Sequence, residues 1–218
     1  MLRSMQQLLE TIYDVPTGHD VRDFLVTERC HLPAERRAHA ADEELVLVEQ
    51  RHRAYLMLYI DSAVLARLRE RDPRRALDGG NIADFWTALE GISHFSCLMW
   101  NAEHTRGISL LDLELQAEVD KYITSFWLLR IQDPTHRPRE LHHTLFVRTH
   151  VNRDLPPARQ RIYATATRYA ARFCSALQSS LLSNRPAQRR SAIATLRRFY
   201  RLSSAGKLRY IEALGACG

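Results

Sequence analysis

Glu90, His94, Glu114 and Glu118 are the residues of this chain best placed to do chemistry. At 100° per residue, Glu90 and His94 lie one helical turn apart, and Cys97, Asn101 and His104 fall within about 80° of them. Glu114, Glu118, Lys121 and Ser125 form a second stripe further along. The intervening turn "HTRG" makes the two helices antiparallel, which brings His94 level with Glu118 and Glu90 level with Lys121. Carboxylates and an imidazole gathered in this way can ligate a divalent metal or move protons for a bound molecule.

The competing outcome is a solvated edge on which Glu90 pairs with Lys121 and His94 with Glu118. Exposed pairs of that kind contribute at most about 1 kcal/mol. Most glutamates on amphipathic helices are solvated edges, so that outcome is the expectation. The metal or acid–base set Glu90, His94, Glu114 and Glu118 stands as the alternative. It is kept open by Trp86, Leu98 and Trp100, which give the first helix apolar residues on several sides. A central buried helix carrying Glu90 and His94 would need partners for both.

Two ExxH spacings also occur, Glu49 with His52 and Glu140 with His143. On helices they would resemble in spacing the paired ligands of a di-iron bundle. However, "LVLV" and "AYLMLYI" are unbroken apolar runs flanking the polar "EQRHR", with no 3.6-residue stripe. Such runs read as a β-hairpin buried on both faces, which removes Glu49 and His52 from helical geometry. In "ELHH", His142 and His143 point to different sides of a helix, so at most one shares a face with Glu140, a weak ligand signal. Cys30, Cys97, Cys174 and Cys217 show no CxxC spacing, and neither a disulfide framework nor a zinc knuckle is expected.

The charge layout carries a different hypothesis. Residues 1–130 hold 15 basic and 21 acidic residues, a net of −6, whereas 131–218 hold 16 and 4, a net of +12. Arg161, Arg168 and Arg172 share one helix face, and Arg190, Arg197 and Arg201 repeat the spacing on the next. Arg148, Arg153, Arg159 and Arg198 would widen such a surface. Guanidinium groups satisfy two phosphate or carboxylate oxygens at once, so the plate implies an anionic partner, nucleic acid or an acidic protein surface. The alternative is that the acidic and basic parts mate with each other, within the chain or in a homo-oligomer. Lysine is nearly absent, with Lys121 and Lys207 against 29 arginines. A skew spread over the whole chain is what coding bias in a GC-rich bacterial genome produces and marks no site.

The remaining signals are mostly negative. No GxSxG, HExxH, Walker-type loop or RNP pattern is present. The first residues lack the apolar stretch of a signal peptide, and the longest runs without Asp, Glu, Lys or Arg are twelve residues, against the roughly 18 a membrane span needs. These features imply a cytoplasmic, soluble chain with no membrane partner.

The elements that must position these residues follow from periodicity and punctuation. Helices are expected over 4–13, through "VRDFLVTERC" after Asp20, and through "AVLARLRER" after Asp61 or Ser62. Two long ones follow, from an Asn81 cap to about His104 and from about 110 to 131 behind a Ser109/Asp112 capping box. "LHHTLFVRTH" is a short helix or extended piece. Later helices run from Asp154 and its two prolines to about Leu182, through "AQRRSAIATLRRFYRL", and through "AGKLRYIEAL". The expected fold is mainly α, a single domain over 1–218 of seven or eight helices with one hairpin at about 45–60. The expected function is a non-catalytic binding or adaptor protein without a cofactor. A helical enzyme using a divalent metal or acid–base chemistry is the alternative, and a structural subunit of an oligomer is the third reading.

Overall fold

Apolar residues spaced for one buried stripe (Leu2, Met5, Leu9 and Ile12) make Leu2–Tyr13 the first helix, α1, of a computed structural model. The structure describes residues 1–50, 53–135, 138, 140–147 and 155–214. His52, Arg148, Arg153, Asp154 and Cys217 lie outside the described residues. Among the described residues the protein is 67% helical, with eight helices and a small three-stranded sheet, the mainly α arrangement that its periodicity implies.

The helix expected through "VRDFLVTERC" is not formed. Asp20 accepts a hydrogen bond from the Arg22 backbone N–H and starts a single 3-10 turn, Val21–Phe24. Leu25–Val26 then forms a strand, β1, and Arg29–His31 a second 3-10 turn. The competing element is the hairpin β2 (Glu43–Gln50) and β3 (Arg53–Ile60). Its outer edge presents unpaired backbone groups, and Leu25 and Val26 pair in parallel with Leu58 and Tyr59 there. β3 is therefore central, in the order β1-β3-β2.

The hairpin has two covered faces near its base. Leu45, Leu56, Leu58 and Ile60 join the main core, whereas Leu32 covers Val46 and Tyr59 on the other side. Towards the turn the cover ends, and Leu47 and Tyr55 are about half exposed. Burial on both faces thus holds for half of the hairpin only.

The helices follow their caps. Asp61 accepts from Ala63 N–H to open α2 (Ser62–Glu70), and the Ser109/Asp112 capping box opens α4 (Leu110–Gln132). Asn81 precedes α3 (Ile82–Glu103) without capping it through its side chain. Its amide instead accepts from Asp78 N–H and donates to the carbonyls of Arg71 and Ala76, which ties the preceding loop together. The remaining helices are α5 (Leu141–Phe146), α6 (Pro157–Leu182), α7 (Pro186–Tyr200) and α8 (Ser204–Leu214).

α3 lies at the centre, against α1, α2, α4 and the sheet. The sheet comes close at Gly91, where a Cβ would sit 2.7 Å from Glu43 Oε2 and 2.8 Å from Leu58 Cδ1. Without that Cβ, the base of the hairpin settles directly on α3. α4 is buried almost all round, so its polar residues must be satisfied from inside. Asp120 accepts from Tyr13 Oη at 2.5 Å, Ser93 Oγ at 2.6 Å and Gln116 Nε2 at 2.8 Å. Gln116 Oε1 in turn accepts from Lys207 Nζ at 3.0 Å. One network thereby joins α1, α3, α4 and α8.

Burial pushes the Asp120 carboxyl up to about 6 from 3.8, against the pull of the three hydrogen bonds that it accepts and of the Lys207 charge. A carboxyl whose folded-state value is raised binds its proton more tightly folded than unfolded. Its contribution to stability is complete below about pH 4 and is lost as pH rises through about 6. Urea unfolding of wild type and Asp120→Asn across this range tests the assignment. The wild type should lose stability more steeply between about pH 4 and 6 than the variant, and equal slopes would show that Asp120 is not the source.

Candidate functional site

The stripe expected at a solvated edge is inside the protein. Glu90 and His94 project from α3, and Glu114, Glu118 and Lys121 project from the facing side of α4. His94 is 5% exposed, Glu114 3% and Lys121 9%. Charges at this depth must be paired or neutralised, because removal from water costs several kcal/mol for each ion.

The pairing follows part of the helical arithmetic. Lys121 Nζ lies 2.5 Å from Glu90 Oε2, the level match that the antiparallel turn implies, and 2.9 Å from Glu118 Oε1. His94 does not meet Glu118. Its Nε2 lies 3.6 Å from Glu114 Oε2, one turn nearer the start of α4. Lys121 takes Glu118 from its own helix, and His94 is left with the next carboxylate along.

Glu43 and Tyr163 join the site unannounced by the helical stripes. Glu43 enters from β2, with Oε1 3.7 Å from His94 Nδ1. The imidazole thus stands between two carboxylates, at separations too long for a hydrogen bond to either. His94 Nε2 and Glu43 Oε2 are buried without a hydrogen-bond partner among the described residues. A signal for Glu43 was present in strand parity: it is in phase with Leu45, whose side faces α3. Tyr163 comes from α6, whose core stripe passes over α4.

The electrostatics follow from burial and proximity. Burial depresses the protonated form of His94, but the Glu114 carboxylate, with Glu43 and Glu90, outweighs it and lifts the ring to about 9. Burial raises the Glu43 carboxyl to about 8 despite the attraction of His94. For Glu90 burial acts upward, yet Lys121 and His94 hold the carboxyl below its ordinary value. Burial also raises Glu118, with Lys121 opposing it. Burial and the charges of Glu114 and Glu90 raise the Tyr163 phenol well above its usual value.

Beside this cluster lies a cavity of about 670 Å³. Glu43, Glu90, Glu118 and Lys121 reach it from one side, and Tyr163 and Thr167 from the α6 side. The volume falls in the range of metabolite sites. The other candidate ligands do not converge. Glu49 sits in β2 opposite Ala54, Glu140 and His143 are exposed at α5, and His142 Nε2 is 2.8 Å from the Ala171 carbonyl oxygen. Cys97 and Cys174 are buried free thiols, and Cys30 is exposed. Among the described residues, Glu90, His94 and Glu114 alone form a group of three or more potential metal-binding side chains.

The arginines are divided. Arg161, Arg168 and Arg172 lie exposed on α6, and Arg190 lies exposed on α7. Arg168 sits at the rim of the cavity, 5.4 Å from the Tyr169 ring centre. Arg172 donates to the Glu212 carbonyl at 3.4 Å. Arg197 donates to the carbonyls of Ile12 and Thr11, and Arg201 to those of Tyr13 and Asp14. These two guanidinium groups therefore serve the carbonyl end of α1, where cations oppose the helix dipole.

No helix among the described residues is long and apolar enough to cross a membrane. Compared with protein-family models, curated proteins and solved structures, the chain finds no match.

Lys121→Met leaves Glu90 and Glu118, both largely withdrawn from water, without their counter-charge. The expected loss is about 3–5 kcal/mol of unfolding free energy. Glu90→Gln combined with Lys121→Met should recover part of it. Urea unfolding of both variants measures the difference, and a single variant as stable as wild type would mean that the ammonium is not the internal counter-ion.

Proposed function

We propose that this chain is an enzyme acting on a small molecule, with its reaction centre where the 670 Å³ cavity meets the Glu/His/Lys cluster. The observation that supports this most is the placement of desolvated charge. Buried ion pairs add little stability over an apolar core of the same volume, so packing does not call for them. Here Glu43, Glu90, Glu118 and Lys121 border a space that a metabolite can fill. Charges held in place at a partly desolvated wall act more strongly on charge that develops in a bound substrate than they would in water. Tyr163 and Thr167 add hydroxyl groups on the opposite wall that would orient it.

Thr167→Trp places an indole in the cavity from the α6 side. Ligand-observed NMR with a panel of small carboxylic and amino acids at millimolar concentration should identify binders of the wild type. Their affinity should drop at least about tenfold in the variant, a loss of about 1.4 kcal/mol. The reading fails if no member of the panel binds, or if the binders hold equally well to a folded Thr167→Trp protein.

A second reading keeps the basic surface as the functional one, with an anionic partner held by arginines of the last third. The exposure of Arg161, Arg168, Arg172 and Arg190 favours it. Reversing Arg161, Arg168 and Arg172 to Glu should abolish retention on heparin across a salt series, with the fold intact by circular dichroism. Unchanged retention removes those three from the binding surface.

A further inference from the structure

His94 is unusual in this site because it has two carboxylate neighbours and a hydrogen bond to neither. Its Nδ1 faces Glu43 at 3.7 Å and its Nε2 faces Glu114 at 3.6 Å. The ring is more than nine-tenths buried, and Nε2 is aimed into the cluster without a hydrogen-bond partner among the described residues. Burial of a polar atom in that state is costly unless something satisfies it. Tighter packing of the ring on Glu114 alone would satisfy Nε2, but the structure holds the two apart.

One donor atom from each of Glu90, His94 and Glu114 lies within 4.8 Å of the others. Small side-chain rotations bring donors at that spacing onto one ion, whose bonds to nitrogen and oxygen are about 2.0–2.2 Å. The make-up of the cluster points the same way. Four acidic side chains (Glu43, Glu90, Glu114 and Glu118) are drawn together around one lysine and one histidine. Glu118 is held by Lys121, which removes it from the set of four that helical spacing alone suggests.

We infer that Glu90, His94 and Glu114 form a divalent-metal site next to the cavity, which it meets at Glu90, with Glu43 behind the imidazole as the group that orients it. Two carboxylates and one imidazole make a hard-to-borderline donor set, suited to Mn²⁺, Fe²⁺ or Zn²⁺ rather than to a thiophilic ion. Glu43 at Nδ1 then has the role of the carboxylate that commonly backs a metal-bound histidine. Such a partner fixes the ring and raises its basicity, and its loss typically lowers metal affinity 10–100-fold. Lys121 holds one oxygen of Glu90 and leaves the other for the ion. The inference takes its place in the molecule from the small-molecule reading, but its test does not depend on that reading.

The full chain, stripped with a chelator, is titrated with Mn²⁺ and followed by electron paramagnetic resonance. One saturable site per chain is expected, with nitrogen hyperfine coupling from a directly bound imidazole. This wild-type measurement needs no variant to fold. His94→Ala should lose the nitrogen coupling and at least about tenfold in affinity, and Glu43→Gln should lose affinity about tenfold while retaining the coupling. The inference is overturned if the wild type shows no saturable binding of Mn²⁺ or Zn²⁺, if bound Mn²⁺ carries no nitrogen coupling, or if His94→Ala binds as wild type does. Small molecules that occupy the cavity of a protein with no metal affinity would overturn the metal site and leave the small-molecule reading standing. Metal binding without any cavity ligand would do the reverse.

Discussion

The centre of this protein is organised by desolvation. α3 and α4 are covered on nearly every side, yet both carry carboxylates, and α4 carries a lysine as well. Water reaches them only along the cavity wall, so neighbouring elements must supply most of their partners. Lys121 between Glu90 and Glu118 is the most direct solution, with both contacts under 3 Å. A second is the Asp120 network, which draws donors from α1, α3 and α4. The two solutions use different residues of the same helix, so the placement of α4 is constrained by polar contacts as well as by its apolar packing against α3 and α6.

The Glu43–His94–Glu114 line is the point where this accounting is incomplete. Separations of 3.6 and 3.7 Å leave one nitrogen and one oxygen buried without a protein partner among the described residues. Everywhere else in the cluster the contacts are close. Of this line only Glu43 borders the cavity, whose wall continues over Glu90, Glu118 and Lys121; the atoms left unpaired behind that wall are the ones a bound ion would satisfy.

Much of the fold was legible in local signals. The Ser109 and Asp61 caps, the proline-led helices and the apolar runs of the hairpin each have a mechanism that needs no tertiary context. The β1 segment was not legible, because two residues become a strand only when β3 offers an edge to pair with. Asn81 has a capping residue's chemistry but found better partners in its own loop. At the site, spacing alone brought Glu90 to Lys121 and identified the two facing stripes. It did not reveal which face was inside, since glutamates at helical intervals look the same wet or dry. Glu43 and Tyr163 arrive from distant segments, and only the packing of the sheet and α6 brings them in. The charge asymmetry was plain in the sequence, but its use was not. Arg197 and Arg201 meet main-chain carbonyls of α1, and Arg197 also reaches Asp14 at 3.7 Å.

The hairpin has a consequence for how alignment is kept along a strand. Leu45, Val46, Leu47 and Val48 are apolar on both sides, so a one-residue slip of β2 would exchange one oily face for another at little cost. Asp42, Glu43 and Glu44 would even keep an acid at the same height. Oiliness therefore cannot lock this strand in frame. The notch at Gly91, shaped by Leu58 and Glu43 together, discriminates in one direction, because Asp42 in the place of Glu43 would fall one methylene short of it. The smallest residue of the central helix thus acts as the alignment mark for the sheet above it.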